Sequence, residues 1–323
     1  MNEIQTARES LRRASYDPRK LVLIHVGLTS LLTLLLAVID CVLEQSIGST
    51  GGLSGMGTRA VLNTARTVLS YLQMIILPFW NAGYLFSTIL LARNETARPE
   101  SLLQGFRSWR PVLTVTLLTS LIYSGLTVAV FLATLQLLTF TPLINPAAQL
   151  LLPYIDSATT VAGTMESMDV ATAMAIVWAL LPLILIAVAI TGLAVFYFSY
   201  RYRLALFRAM DDPEKGGRAA MWVSRCMMRG RKKALFLLDL RFWWYYLLSA
   251  LLSLLPLGDV ILPAFGITLP ENSYVTYFIF LSVYLVCQLL LALAARNTVS
   301  VSYAVFYDRL AAELNQDPKG GVL

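Results

Sequence analysis

The sequence holds one histidine, His25, and three cysteines, Cys41, Cys226 and Cys287. One imidazole cannot supply the two histidines of an HExxH zinc site. The cysteines lie far apart with no CxxC spacing, which argues against a zinc site and against a disulfide framework. No GxSxG nucleophile turn, GxxxxGK[ST] phosphate loop or pair of intramembrane aspartates occurs. The expectation is a protein that is not an enzyme, with no catalytic residues, no metal and no cofactor. Two places keep some chemistry open. His25 lies about one turn into an apolar run, where an imidazole either bridges helices or relays protons. Asp40 and Glu44 lie one turn apart at the far end of that run, where they either hold a cation or sit solvated.

These residues belong to a chain of 323 residues that is 57% hydrophobic and 14% charged, with a mean hydropathy of +0.67. A soluble domain carries about 25% charged residues. Here the charges gather in gaps between long uncharged runs, which is a membrane pattern. Six runs qualify, at residues 21–42, 68–92, 112–138, 170–200, 234–257 and 274–295. At about 1.5 Å per residue each can cross roughly 30 Å of hydrocarbon, the fifth only if 234–240 extends it. The first is too long for a signal-peptide core and no cleavage site follows it, so it reads as the first span. Gln73, Asn81, Gln136, Gln288 and Asn297 are the polar residues in or at the end of these runs. Such side chains tie helices together or, in a transporter, line a path. Pro78 and Pro182 should kink the second and fourth spans. Gly125, Ala129 and Ala133 form a small-residue row that permits close helix packing.

Orientation follows from the cations. The segments before span one, between two and three, between four and the Phe242 start of span five (Arg241 included), and after six hold 5, 4, 11 and 3 Lys or Arg. The alternate connections hold only Arg59 and Arg66. Both termini are therefore expected in the cytoplasm. The outer connections include a Gly- and Ser-rich stretch at 46–58 and an apolar piece at 143–155, which suits an interfacial or re-entrant segment. Asn145-Pro146-Ala147 within it reads as a Pro-initiated turn.

Three basic amphipathic segments precede the outward-going spans: 3–14, 99–110 and 217–233. The third lies in the cytoplasmic elbow 201–233. Drawn as one helix, 217–233 gathers Arg218, Arg225, Arg229 and Lys232 on one side, with Lys233 adjoining, and sets Ala220, Val223, Met227 and Ala234 opposite. This face is expected to contact anionic lipid headgroups or a membrane-protein partner, and a homo-oligomer is a further option. One short basic face with no binding module gives no reason to invoke nucleic acid. Trp243, Trp244, Tyr245 and Tyr246 follow as interfacial anchors where span five enters the bilayer.

The elbow also carries a family likeness. Ala220, Ser224, Arg225, Met227 or Met228, Gly230, Lys232, Leu235, Phe236 and Leu238 resemble the signature of the bacterial integral membrane proteins grouped as domain of unknown function family 975. Arg201-Tyr202-Arg203 and Phe306-Tyr307 are similar to that family's text as well. The layout is distantly similar to the membrane portion found with some glycerophosphodiester phosphodiesterases, without their catalytic domain. The resemblance implies a membrane location and topology and assigns no activity.

The sequence thus predicts an all-α polytopic membrane protein, six-spanning and multi-pass in the cell membrane. Its expected role is that of a non-enzymatic scaffold, regulator or accessory factor at the cytoplasmic leaflet. A transporter or channel-like component for a peptide, lipid or small solute is the alternative.

Overall fold

The structure is a computed structural model that describes residues 3–49, 56–140, 149, 170–258 and 273–316. The apolar piece at 143–155, apart from Gln149, and the Asn145-Pro146-Ala147 turn lie outside the described residues, as does much of the Gly-rich stretch. Among the described residues the chain is helical and has no strand. Helix α1 is Glu3–Arg13, α2 Pro18–Ser49 and α3 Met56–Ala92. A 3₁₀ turn at Pro99–Leu103 runs into α4, Gln104–Arg107, and then α5, Trp109–Thr139. Helix α6 spans Val170–Tyr202 and α7 Ala205–Asp211; α8 spans Gly216–Met227, α9 Lys232–Arg241 and α10 Trp243–Leu252. Helix α11 is Ser273–Leu291; a π turn at Ala292–Arg296 joins it without interruption to α12, Asn297–Gln316.

Among the described residues five helices are long and apolar enough to cross a membrane, six if the pair Lys232–Arg241 and Trp243–Leu257 is one span. That pair is where the structure departs from the expected straight fifth crossing. Its two parts meet at 63°. No Gly or Pro marks the break. Phe242 takes a non-helical conformation there and is buried, and Asp239 one turn earlier accepts a hydrogen bond from Tyr303 of α12. Tyr303 of α12 bonds on both sides of the break, to Asp239 and to Tyr246, whereas local propensity would have continued the helix. Helix α10 alone rises only about 15 Å, half the hydrocarbon thickness.

The described residues form two compact units. In the first, residues 1–116 and 204–323, α1 buries Ala7 in a cluster with Leu21, Leu91, Ala97 and Val301, and Ser10, which reaches the Ala92 carbonyl. The apolar side of α1 is thus covered by α3 and α12, although its sequence also suits a helix resting on lipid. A second cluster joins Val22, Val26, Tyr84, Leu102 and Ala292. Of the apolar side chains in 99–110, Leu102 alone turns fully inward, while Leu103, Phe106 and Trp109 stay exposed. The second unit, residues 117–203, packs Leu183 and Ala187 against Phe131, Leu135 and Leu180. Its Gly125, Ala129 and Ala133 are exposed, and nothing lies within 4 Å of a side chain added at Gly125.

Candidate functional site: the basic elbow and its frame

Helix α8 is amphipathic in the expected sense. Gly217, Ala220, Met221, Val223, Ser224 and Met227 are buried, and Arg218 and Arg225 are exposed. The single helix over 217–233 is not what forms, however. Helix α8 ends at Met227, and a turn carries Met228 to Arg231 before α9 begins at Lys232. Gly230 has φ +78° there, a conformation that costs an L side chain about 1–2 kcal/mol. Arg229 and Lys233 are exposed on the turn and on α9, and Lys232 is half-buried. The five cations therefore line an edge made of two helices and a turn, where one helical face was expected. Nothing lies within 4 Å of a Cβ built at Gly230, so backbone strain is the whole penalty. Gly230→Val should lower stability by about 1–2 kcal/mol and Gly230→Asn by less, because Asn tolerates this region. Thermal unfolding of the two variants in detergent checks the order.

A cleft of about 680 Å³ opens between α7 and α8, lined by Arg208, Asp212, Lys215, Ala219, Trp222 and Val223 among others. Its polar rim is internally paired. Arg208 lies 3.2 Å from Asp212 and 3.6 Å from Asp211, and the Lys215 ammonium lies 3.1 Å from Asp212. Trp222 is 43% exposed beside it.

The aromatic cluster divides. Trp243 and Trp244 are exposed, as interfacial anchors require. Tyr245 is half-buried. Tyr246 has its hydroxyl 2.6 Å from that of Tyr303, which in turn donates to Asp239. Tyr246 is thereby tied into the interior of the fold as well as its surface.

Behind the elbow stands a frame that sequence reasoning missed. Arg93, just past α3, donates to Asp211 of α7 at 2.7 Å and to Asp308 of α12 at 2.7 and 3.1 Å. Tyr307 donates to the other oxygen of Asp211 at 2.7 Å and stacks on Phe207. Donation to Asp211 pushes the Arg93 guanidinium above its ordinary range; burial opposes this and Asp308 adds to it. A second set joins Arg231 to Glu313 at 2.8 Å, and Arg309 to Glu313 and Glu3 at 3.2 Å each. The two sets pin α1, the end of α3, α7 and the α8–α9 turn to α12. The sequence signals were the Phe306-Tyr307 pair of the family likeness and the helical spacing of Tyr303, Phe306, Tyr307 and Leu310, which continues past the sixth apolar run.

The remaining candidates are spent on structure. Asp40 is paired with Arg66 at 2.6 Å and Glu44 lies 4.0 Å from the same guanidinium, so an internal cation occupies that place. Gln288 donates to the backbone and hydroxyl oxygens of Ser249, joining α11 to α10. His25 is buried, stacked on Tyr84 and beside Trp80. Among the described residues no group of three or more His, Cys, Asp or Glu could hold a metal ion. The residues that carried the family likeness prove largely structural. Ala220, Ser224, Met227, Met228, Leu235, Leu238, Phe306 and Tyr307 are buried, and Gly230 makes the turn.

A family model described as Protein of unknown function (DUF975) matches residues 1–313. No curated protein and no solved structure matches the chain.

Proposed function

The chain belongs to the DUF975 family, and we propose that it is a multi-pass cell-membrane protein with both termini in the cytoplasm. It acts there as a non-enzymatic scaffold, regulator or accessory factor at the inner leaflet. One observation carries this reading. Arg218, Arg225, Arg229 and Lys233 stand exposed along an edge whose other side is locked into the core, with Trp222 exposed beside them. An edge fixed in this way loses little conformational entropy on meeting a charged surface. Anionic headgroups are the partner that a cytoplasmic basic edge meets first.

The use of Gln288 and Asn297 supports the accessory role over transport. Both bond neighbouring helices, the role that polar side chains take when they glue a bundle together. Reversing Arg225, Arg229 and Lys233 together to Glu should weaken binding to anionic vesicles about a hundredfold, at about 1 kcal/mol for each cation. Flotation of the nanodisc-embedded protein with vesicles containing phosphatidylglycerol measures this. Unchanged flotation would remove the headgroup role.

A further inference from the structure

Arg296 is the last residue of the π turn between α11 and α12. A π turn inside a long helix is uncommon and frequently marks a functional position. The Arg296 guanidinium lies 3.0 Å from Nε2 of His25 and 5.0 Å from the centre of the Tyr84 ring. A guanidinium only donates, so Nε2 accepts and the proton of a neutral His25 ring is on Nδ1. That Nδ1 has no hydrogen bond of normal geometry, and the Asn81 side chain is the polar group near the ring. Around this core every bond is made by a neutral group. Tyr84 donates to Asn297 Oδ1 at 3.0 Å, Asn297 donates to the Pro18 carbonyl at 2.8 Å, and Trp80 donates to the His25 carbonyl at 3.1 Å.

The result is a fixed cation without a counter-charge among the described residues. Among the described residues no carboxylate comes within ion-pair distance of Arg296. Its other ion pairs aside, unit one neutralises Arg66, Arg93, Arg208, Arg231 and Arg309 with acids. Arg218, Arg225 and Arg229 also have no ion pair among the described residues, but they are exposed, whereas Arg296 is half-buried against His25 and Tyr84. The bond from Asn297 to Pro18 sets Asn297 beside the start of α2, while the Arg296 guanidinium reaches His25, about 10 Å further along that helix. The guanidinium therefore sits about one turn into the first apolar run, close to the residues that open it. A charge at such a depth is stable when it reaches an anion of the interface, and the planar fork of Arg suits phosphate oxygens.

We propose that Arg296, held by His25 and Tyr84, is the cationic half of a binding site for a phosphate group, supplied by an anionic lipid or by free phosphate. His25 is a positioning residue in this site, and Tyr84 and Asn297 fix the depth of the guanidinium. The site is separate from the basic edge of the elbow.

Native mass spectrometry of the full chain, delipidated and then offered phosphatidylglycerol, phosphatidylcholine or inorganic phosphate, tests this. Wild type should hold one phosphatidylglycerol through collisional activation that strips phosphatidylcholine, and Arg296→Gln should weaken that retention about tenfold, the expected cost of one charge-assisted contact. Arg296→Lys, which keeps the charge and loses the fork, should fall between. The elbow triple reversal should retain the lipid, which separates this site from the headgroup role proposed above. If millimolar inorganic phosphate displaces the lipid, or binds in its place, the source is free phosphate and the site stands. Should Arg296→Gln fail to fold, wild type and Arg296→Lys still decide. The proposal is overturned if wild type holds neither lipid nor phosphate, or if a folded Arg296→Gln holds them as tightly as wild type.

Discussion

Gly83→Ala is expected to be the most damaging single methyl group that can be added to this chain. A Cβ at Gly83 would lie 1.7 Å from the carbonyl oxygen of Leu102 and 2.5 Å from its carbonyl carbon. Gly105 faces back across the same contact, its Cβ 1.9 Å from the carbonyl oxygen of Phe79 and 2.8 Å from the nitrogen of Gly83. The obstacle on both sides is backbone, which cannot rotate aside as a side-chain tip can. Helix α3 and the 99–107 segment would have to separate by more than 1 Å. That opens Leu102, which is 1% exposed, and breaks the 2.7 Å contact between the hydroxyls of Ser87 and Ser101. Overpacking a core costs about 1–3 kcal/mol where side chains can yield, and a rigid contact belongs at or beyond the upper end. The loss expected for Gly83→Ala is about 3 kcal/mol or more, read as a large fall in detergent melting temperature and in the monodisperse fraction on gel filtration. Gly105→Ala should do the same. The double variant should be little worse than either alone, because one separation relieves both clashes. Gly27→Ala is the control: nothing lies within 4 Å of its Cβ, and Ala is favoured over Gly in a helix by about 1 kcal/mol. If Gly83→Ala melts with wild type, the backbones do not approach this closely.

That contact also shows where legibility ends. The long uncharged runs announce membrane-crossing helices because the bilayer imposes length and apolarity on each segment alone. The amphipathic character of α8 is local too, and its buried residues were readable from spacing. Gly83 and Gly105 carry no such signal. Each reads as an ordinary glycine until the fold sets them face to face. The bend at Phe242 likewise has no breaker residue and depends on Asp239 meeting Tyr303, 64 positions away. Arg93, Asp211 and Asp308 were visible only as contributions to the inner-side charge, since their pairing joins three distant stretches. Arg296 was counted in the same way, among the cations that set orientation. Charge patterning reports which side of the membrane a residue occupies. It does not report which acid, if any, answers it.

Arg93→Ala is the second substitution expected to have a large effect, and it separates a frame from a surface decoration. The side chain makes three hydrogen bonds to two carboxylates on two other helices. An isolated surface pair would contribute about 0–1 kcal/mol. Here Asp211 and Asp308 are mostly shielded, at 15% and 27% exposure, and removing the cation leaves Asp308 without the guanidinium that answers it and two like charges facing one gap. Breaking a buried pair from one side costs about 3–5 kcal/mol. Solvent reaches the Arg93 side chain, so the expected loss is smaller, about 2–3 kcal/mol. Arg93→Lys should recover only part of it, because one ammonium cannot reproduce the fork that spans both acids. Asp308→Asn in the Arg93→Ala background should restore about 1 kcal/mol by removing the uncompensated charge, so the double variant falls short of the sum of the singles. Thermal unfolding of the four proteins in one detergent completes the cycle. Strict additivity, or a melting temperature for Arg93→Ala equal to that of wild type, would mean that the end of α3, α7 and α12 are held together by apolar packing alone. In that case the basic edge of α8 would rest on a softer support than the ion pairs imply.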